Sequence, residues 1–322
     1  MKEIKVTKND SGQRIDRFLS KSFPLGQGQI CKLARKNCIK LNGKKCKPDT
    51  HIAENDIIKL FIPDEMLIPK AKTDSDDFTS VSDKIDIVYE DENILLADKP
   101  VGMVVHEDES GDSDTLINRI KSYLYHKGEY RPENELSFAP ALCNRIDRNT
   151  CGIVIAAKNA ESLRILNQKI RDRELTKLYL CIACGKVTPD SATLTAYLEK
   201  NSDTNTVKIS DKKTKSNLTI KTKYKVIAYN GENSLLKVDL LTGRTHQIRA
   251  HLAYIGHALL GDGKYGNNKL NKKYGFKYQA LCSYELQFKF TTDAGCLSYL
   301  DGKCFKAKAP DFVKMFGGNI KL

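Results

Sequence analysis

The sequence predicts an α+β protein in which a small basic module precedes a large domain built on a mixed, mainly antiparallel sheet. Three observations carry this prediction. At 322 residues the chain exceeds the usual size of one small domain, which favours two units. Positive charge is concentrated in the first 62 residues, and the remainder contains many strand-like runs with only a few, irregularly placed helical ones.

The first 62 residues predict a compact unit of two helices and short strands. The helices are expected near residues 12–22 and 29–36, and the strands near 39–41 and 57–62. An Asn42-Gly43 pair follows the first strand. This pair is a strong hairpin signal, because both residue types readily adopt positive φ.

This unit carries 14 Lys and Arg against 6 Asp and Glu, a net charge of +8 out of +13 for the whole chain. Seven of its cations fall on one predicted helix and the adjoining hairpin: Lys32, Arg35, Lys36, Lys40, Lys44, Lys45 and Lys47. They are placed to contact consecutive phosphates of a nucleic acid, whereas the ordinary alternative is a solvated face. We interpret the unit as an RNA-binding domain.

Residues 63–83 are polar and acidic and show neither strand nor helical periodicity, which predicts a mobile linker. The large domain then runs from residue 84 to 322, with helices expected at 114–126, 159–173 and 245–255. Its strand-like runs are IDIVYE, NILLADK, GIVIAAK, TKLYLCIA, SNLTIKTKYKVIAY, SLLKVDLL and ALCSYELQFKF.

Composition narrows the class of protein. No stretch approaches the roughly 20 apolar residues of a bilayer span, and the first residues lack the apolar core of a signal peptide, so a cytoplasmic protein without a membrane partner is expected.

The ten cysteines stand at irregular spacings, as expected for reduced thiols. Cys181 and Cys184 form a CxxC without a second pair or a nearby His. Structural thiols are therefore favoured, and no metal is expected.

Three segments combine polar side chains with turn residues in a way that a plain core does not require. In CNRIDRNTCGIVIAAK, Arg145, Asp147 and Arg148 precede a glycine that opens an apolar strand, so Asp147 is expected on a loop held by a rigid element. Taken alone, such an Asp is more often a turn or cap residue. In KLYLCIACG, Tyr179 lies in a predicted strand, where an aromatic residue usually belongs to the core.

The third segment, LLTGRTHQIRAHLAYIG, follows a predicted strand, and a helix is expected to start at Gly243. It would bring four basic side chains within two turns: Arg244, His246, Arg249 and His251. The two histidines are five residues apart, not the four that align two metal ligands on one helical face. This spacing argues against a metal site.

Together the motifs resemble those of the RluA-type pseudouridine synthases of large-subunit ribosomal RNA, and among them the RluC subgroup. The resemblance rests on ADKPVGMVVH, NRIDRNTCGIVIAAK, KLYLCIACG and TGRTHQIRAHLAYIGHALLGDGKYG, in the family's order, and covers almost the whole chain. Through GQRIDRFL, ICKLARKN and IKLNGKK, the basic module resembles the small alpha-L RNA-binding domain shared with a ribosomal small-subunit protein. The family resemblance implies a pseudouridine synthase catalytic domain over residues 84–322.

The resemblance also implies roles for individual residues. Asp147 would be the catalytic carboxylate, and Arg145 would help to displace the target base from its helix. Tyr179 matches the tyrosine that packs on the flipped uracil and helps to remove the C5 proton. Arg249 matches the basic residue that pairs with the catalytic carboxylate.

Other positions of these motifs would shape the site, among them Arg244 and His246. Three positions depart from the family pattern: Asn144 where His is common, Cys151 where Ser is common, and Cys282 where His is frequent. None of the three replaces the carboxylate. The departures alter the local hydrogen-bond network, because a Cys thiol is a weaker hydrogen-bonding group than a Ser hydroxyl.

The implied reaction breaks the bond from ribose C1′ to uracil N1 and remakes it to C5, an isomerisation that needs no redox cofactor. We therefore expect a monomeric enzyme that modifies large-subunit ribosomal RNA. Three alternatives stay open at this point. They are a non-catalytic RNA-binding ribosome-assembly factor, a synthase for another structured RNA such as transfer RNA, and a glycosidase-like enzyme with paired carboxylates.

Overall fold

The computed structural model describes residues 1–68, 78–107, 111–201, 204–317 and 320–322. The basic module forms an antiparallel sheet with the strand order β1-β4-β2-β3 and two helices. Its elements are β1 (Lys2–Lys5), α1 (Ile15–Ser22), α2 (Gln27–Arg35), β2 (Ile39–Leu41), β3 (Lys44–Lys45) and β4 (Ile57–Leu60). Both predicted helices and both predicted strands are present.

Local sequence explains these elements. Asn42 and Gly43 adopt φ values of 50° and 77°, the positive values that a two-residue hairpin turn requires. The Asn42 side chain also accepts a hydrogen bond of 2.8 Å from the Ile57 amide, which ties the turn to β4. Helix α1 buries Phe18 and Leu19 completely, because its apolar residues share one face.

The predicted linker differs from expectation at both ends. Leu67 is buried in the core of the basic module. Phe78 is buried in the core of the large domain, where its ring centroid lies 5.8 Å from those of Tyr125 and Tyr130. The ends of the predicted linker thus belong to the two cores. Residues 69–77, to which the predicted mobility applies, lie outside the described residues.

The large domain is built on one eleven-stranded sheet, which confirms the predicted α+β class. The main path has the order β11-β10-β12-β13-β9-β14-β8-β6-β5, with β15 beside β14 and β7 beside β8. The strands are β5 (Ile87–Glu90), β6 (Ile94–Lys99), β7 (Ala141–Leu142), β8 (Cys151–Ala157), β9 (Leu175–Cys184), β10 (Ser191–Asn201), β11 (Thr206–Ser210), β12 (Leu218–Tyr229), β13 (Asn233–Asp239), β14 (Leu281–Phe288) and β15 (Cys304–Lys306). Within the described chain, β8 and β14 form the single parallel pair.

Helices cover the sheet at three places that the sequence predicted. The helices of the large domain are α3 (Leu116–His126), α4 (Ala160–Arg171), α5 (Gln247–Tyr254) and α6 (Asn268–Lys273), the last of which was not predicted. Thr115 and Asn159 cap α3 and α4, since their side chains accept hydrogen bonds from backbone amides of the first turn. Gln247 anchors α5 to β12 through hydrogen bonds of 3.0 Å to the Lys221 carbonyl and the Thr222 hydroxyl.

Strands β10 and β11 were missed by the sequence analysis. Their inward positions do alternate: Leu194, Ala196 and Leu198 lie on one face of β10, and Val207 and Ile209 lie on one face of β11. Ala196 and Leu198 pack on Val207 and Ile209. The period-2 pattern was therefore present in the sequence and was overlooked.

Side-chain contacts join the basic module to the large domain. Asn9 donates a 2.7 Å hydrogen bond to Glu135, and Ser137 donates one of 2.6 Å to Asp10. Arg164 of α4 donates to the Ser11 carbonyl at 2.8 Å. The loop before α1 therefore lies against the large domain.

Replacing Gly152 with Ala should destabilise the protein by about 3 kcal/mol or more. Gly152 has a φ of +105°, and a Cβ at this position would lie 2.2 Å from the Ser283 carbonyl oxygen on β14. Urea unfolding of both proteins measures the difference.

Gly28→Ala is the matched control, because Gly28 lies in exposed helix α2 with nothing within 4 Å of its added Cβ. This change should stabilise the protein by about 0.5–1 kcal/mol. A Gly152→Ala variant as stable as the wild type would contradict the assigned β8–β14 contact.

Candidate active site

The three polar segments from the sequence analysis meet at one open cleft of about 1430 Å³. Its walls come from the loop before β8, from β9 and from the start of α5. Among the predicted residues, Arg145, Asp147, Tyr179, Arg244, His246 and Arg249 all line it. Tertiary structure thus assembles residues that are up to 104 positions apart in sequence, between Arg145 and Arg249.

A buried lysine, Lys99, stabilises the loop that carries Asp147 through hydrogen bonds to backbone carbonyls. The Lys99 ammonium, which is fully buried, donates hydrogen bonds of 2.8 to 2.9 Å to the carbonyls of Pro100, Met103 and Arg148. Burial lowers the pKa of Lys99 to about 8. All three ammonium donors have an acceptor, so Lys99 fixes the residue next to Asp147 without an ion pair.

Arg249 joins Asp147 to a second carboxylate. Its Nη1 donates a 2.8 Å hydrogen bond to Oδ2 of Asp147, the contact that the resemblance implied. Its Nε and Nη2 donate to the two oxygens of Asp262 at 2.7 and 3.0 Å. The sequence analysis did not single out Asp262. Its only signal was its place in GDGKYG, at the end of the fourth motif that carries the family resemblance.

His246 also lies near the Asp147 carboxylate. Its Nε2 is 3.9 Å from Asp147 Oδ2, and its Nδ1 is 2.9 Å from the Tyr265 hydroxyl. Burial lowers the pKa of His246, an effect opposed by the charge of Asp147. A neutral imidazole therefore faces the carboxylate at pH 7.

The predicted start of the helix at Gly243 was wrong, because α5 begins at Gln247. His246 precedes it in the left-handed region with a φ of 52°, which breaks the helical path. The Gln247 side chain instead accepts a hydrogen bond from the Arg244 amide and closes a turn. As a result Arg244 stands on this turn and is exposed to solvent.

Tyr179 is buried on β9, as the sequence predicted, and also lines the cleft. Burial raises the pKa of its hydroxyl to about 12, with a further contribution from the Asp147 charge. Tyr179 is therefore a neutral phenol at pH 7. Its ring offers a stacking surface, and its hydroxyl can donate a hydrogen bond.

Several cations surround the carboxylate. Arg145 and Arg244 are exposed at the cleft. Lys177, Lys200 and Lys264 also line it and were not predicted. They come from β9, β10 and the turn after Asp262, so no local pattern connects them.

The cations predicted on the basic module do not line this cleft. Lys32, Arg35, Lys36, Lys44 and Lys45 are exposed on α2, its C-terminal end and the β2–β3 hairpin. They form a separate basic surface. Its clustering on adjacent elements agrees with the sequence pattern.

The three departures from the family pattern have structural partners. The Asn144 side chain accepts a 2.8 Å hydrogen bond from the Ile155 amide of β8. Cys151 and Cys282 are paired across the parallel β8–β14 junction, and the Cys151 thiol donates a 3.7 Å hydrogen bond to the Leu281 carbonyl. All ten cysteines are free thiols, and Cys181 of the CxxC is fully buried.

The described residues hold no group of three or more His, Cys, Asp or Glu side chains placed to bind a metal ion. In the same part of the chain, no helix is long and apolar enough to cross a membrane. His251 is buried beneath the cleft, with its Nδ1 3.0 Å from the Thr222 hydroxyl.

Known proteins resemble this chain in sequence over most of its length. The sequence model of the RNA pseudouridylate synthase family matches residues 93–254. An uncharacterised RNA pseudouridine synthase of Mycoplasma genitalium is 36% identical over 294 residues, covering 88% of each chain. The ribosomal large subunit pseudouridine synthase C of Escherichia coli is 30% identical over 285 residues, covering 85% of this chain and 82% of that one.

Solved structures share the fold. Human RNA pseudouridylate synthase domain containing 4 aligns with a TM-score of 0.56 at 18% identity, over 71% of this chain and 90% of the human one. The chain belongs to the RNA pseudouridylate synthase family, and within it to the RluA/RluC-like group. It is an isomerase that converts uridine to pseudouridine in RNA.

His251 should make the stability depend on pH. Burial lowers its pKa to about 4 from an ordinary value of 6.5. A depressed histidine pKa contributes stability above pH 6.5 that is lost as the pH falls towards 4. From pH 7 to pH 4 the wild type should lose about 3 kcal/mol more than a His251→Gln variant.

The measurement is the free energy of unfolding in urea at several pH values. Taking the difference between the two proteins removes the titration of carboxylates that they share. Parallel curves for wild type and variant would rule out a buried, neutral His251.

Proposed function

We propose that this enzyme isomerises uridine at specific positions of large-subunit ribosomal RNA in the cytoplasm, with Asp147 as the catalytic carboxylate. Relatives named ribosomal large subunit pseudouridine synthase C and D support the substrate. The D enzyme, from Borreliella burgdorferi, is 32% identical over 268 residues. The observation that carries the role of Asp147 is its hydrogen bond with Arg249 inside a cleft lined by cations.

The reaction cleaves the C1′–N1 bond, turns the uracil, forms the C1′–C5 bond, and moves the C5 proton to solvent while N1 gains one. Positive charge develops at C1′ during cleavage, and a carboxylate can stabilise it or add to the sugar or base. In the described structure, Arg249 and the neutral imidazole of His246 both approach Oδ2 of Asp147, at 2.8 and 3.9 Å. Oδ1 takes part in neither of them and is the oxygen we assign to the substrate.

A glycosidase-like reaction has less support. Such enzymes usually place two carboxylates on either side of the scissile bond. Here the carboxylate that shares Arg249 with Asp147 is Asp262, which is fully buried and does not line the cleft. Glu107 lines the cleft and is exposed, where it accepts a 3.3 Å hydrogen bond from the Asn118 side chain. The cations around Asp147 suit a phosphate-rich substrate.

The target base must leave its helix to reach Asp147, at a cost of a few kcal/mol. Stacking on an aromatic ring recovers part of that cost. Tyr179 presents such a ring in the cleft, and Arg145 is exposed beside Asp147, where it can occupy the space that the base leaves. We assign base displacement to these two residues.

Further RNA contacts are assigned to the cleft rim and to the basic module. Arg244, beside His246 at the rim, is exposed to meet the flanking backbone. In the basic module, five of the exposed cations would contact phosphates at a distance from the target base: Lys32, Arg35, Lys36, Lys44 and Lys45. We expect the protein to act as a monomer.

Asp147→Asn should abolish pseudouridine formation and leave RNA affinity within about twofold, since it removes charge but little volume. Pseudouridines in ribosomal RNA are mapped by carbodiimide-dependent reverse-transcription stops in cells that lack the gene. The cells are complemented with the wild type, with Asp147→Asn or with Asp311→Asn, a surface control whose carboxylate side chain is 87% exposed.

Sites that vanish with the gene should return with wild type and Asp311→Asn, but not with Asp147→Asn. If Asp147→Asn restores them, the assigned carboxylate is wrong. If every ribosomal pseudouridine persists without the gene, the substrate is another RNA, and transfer RNA is mapped next. Restoration of ribosome assembly by Asp147→Asn would reveal an assembly role alongside catalysis.

Tyr179→Phe should keep RNA affinity and lose turnover by about 100-fold, because the stacking ring stays while the hydroxyl that can relay a proton is removed. Single-turnover rates on an RNA fragment that contains the mapped site measure the loss.

Tyr224→Phe is the control. Tyr224 is also a buried strand tyrosine, but its hydroxyl donates to the Pro189 carbonyl outside the cleft. Full turnover by Tyr179→Phe would remove any proton-transfer role for its hydroxyl.

A further inference from the structure

Strand β12 presents three lysines in line on the face of the large sheet that points away from α5. Lys221, Lys223 and Lys225 are exposed, whereas Thr222 and Tyr224 between them are buried on the side of α5. Side chains on one face of a strand recur about every 7 Å. This step is similar to that between successive phosphates of an extended RNA strand. The lysine row formed by these three residues can therefore contact consecutive phosphates.

The charge around the lysine row is one-sided. Residues 191–229, which contain β10, β11 and β12, carry 8 Lys against 3 Asp and Glu, a net charge of +5 of the +13 of the chain. Within the described residues, no carboxylate lies within 4 Å of the Lys221, Lys223 or Lys225 ammonium group. Half-buried Asp239 of β13 lies opposite Lys223 in the strand register, beyond that distance. The positive charge of the row is thus left for a ligand.

The position of β12 in the sheet argues against an ordinary solvated face. Lysines on a strand often protect a sheet edge from pairing with another chain. However, β12 is an interior strand, hydrogen-bonded to β10 on one side and to β13 on the other. Lysine is disfavoured in strands, and neighbouring like charges repel. A row of one sign on an interior strand costs stability, and an anionic ligand explains why it is there.

The neighbouring strand adds hydroxyl groups to the same surface. Each lysine has an exposed hydroxyl residue opposite it on β10, in the order from Lys221 to Lys225: Thr195, Thr193 and Ser191. Serine and threonine hydroxyls donate hydrogen bonds to phosphate oxygens, as lysine ammonium groups do. Cations flanked by hydroxyl donors suit a phosphate backbone.

The lysine row begins at the rim of the cleft. The Lys221 amide donates a 2.8 Å hydrogen bond to the Thr242 hydroxyl, and the Lys221 carbonyl accepts one of 3.0 Å from the Gln247 side chain. Arg244, exposed at the cleft, lies on the turn between Thr242 and Gln247. An RNA strand that leaves the cleft past Arg244 meets Lys221 first. The rest of the row leads away from the target base.

We propose that the lysine row binds the phosphate backbone of the RNA segment that flanks the target uridine. The surface is separate from the basic module and continues the cleft over the outer face of β12. Contacts of this kind orient the RNA without reading its sequence. The inference rests on the RNA substrate of the proposed function and is independent of the role assigned to Asp147.

The test variant carries Lys221→Gln, Lys223→Gln and Lys225→Gln together. Its dissociation constant is measured at several salt concentrations on a ribosomal RNA fragment that contains a mapped site and its flanking helices. At low salt the constant should rise at least about 10-fold, and the slope of log K against log salt should fall by about 2 to 3, as expected for three lost phosphate contacts. Because the row touches no reacting atom, the loss should appear in the dissociation constant rather than in the single-turnover rate at saturating RNA.

Two control variants separate a local contact from a general effect of charge. Arginine at the same three positions keeps the charge and should bind within about twofold of the wild type. Glutamine at Lys84, Lys303 and Lys308 removes the same charge from exposed positions near β5 and β6, at the opposite end of the sheet. Screening makes distant charges weak, so this control should lose less than about twofold. An equal loss in this control, or full affinity of the test variant, would overturn the proposal.

A second readout locates the contact in the wild type without turnover. Lysines are acetylated with an amine-reactive reagent in the presence and absence of the RNA fragment, and mass spectrometry measures the reaction at each position. Lys221, Lys223 and Lys225 should lose reactivity in the complex, whereas Lys303 and Lys308 should not. Trimming the RNA to the target loop should restore the reactivity of the row.

A row that stays reactive with the full RNA fragment contradicts the proposal. Protection by vesicles of equal parts phosphatidylcholine and phosphatidylserine, but not by RNA, would assign the row to a membrane and also contradict it. If the row is protected while the wild type forms no pseudouridine in the fragment, the substrate assigned under the proposed function fails and the lysine row stands. If pseudouridine forms while the row neither is protected nor contributes affinity, the row fails and the proposed function stands.

Discussion

The ion pair network of Arg249 is the interaction on which the geometry of the site depends. One guanidinium joins the loop before β8, helix α5 and the turn at Asp262. Removing one partner of a buried charge leaves the other uncompensated, at a cost of about 3–5 kcal/mol, so the three segments are held in one arrangement. The same network that stabilises the fold thereby sets the environment of Asp147.

The sheet supplies a rigid base for this network. Gly152 allows β8 to approach the backbone of β14 at their parallel junction, immediately after the Asp147 loop. Lys99, at the end of β6, holds the carbonyl of Arg148 from beneath. Strand β9 carries Tyr179 to the facing wall. Because each contact involves backbone or a buried group, the loop that carries Asp147 can line an open cleft without being loosely held.

Periodicity and turn chemistry were enough to predict much of the architecture. The Asn42-Gly43 hairpin, helices α3 and α4 and strands such as β9 depend on local interactions, which short segments encode. The errors occurred where tertiary contacts override local preference. The expected helix at Gly243 starts at Gln247 because His246 adopts a left-handed conformation beside Tyr265. Strand β10 was missed although its apolar residues alternate; its pairing with β11 and β12 is what the tertiary structure adds.

The sequence by itself determined the α+β class, the concentration of positive charge in the basic module and, through four ordered motifs, the family and the candidate residues Asp147, Tyr179 and Arg249. Only the tertiary structure decided that Asp262 shares Arg249 with Asp147, and that Lys200 and Lys264 line the same cleft. The physical reason is that motifs record which side chains are present along the chain. The partner of a buried charge depends on which distant segments the sheet brings within hydrogen-bonding distance.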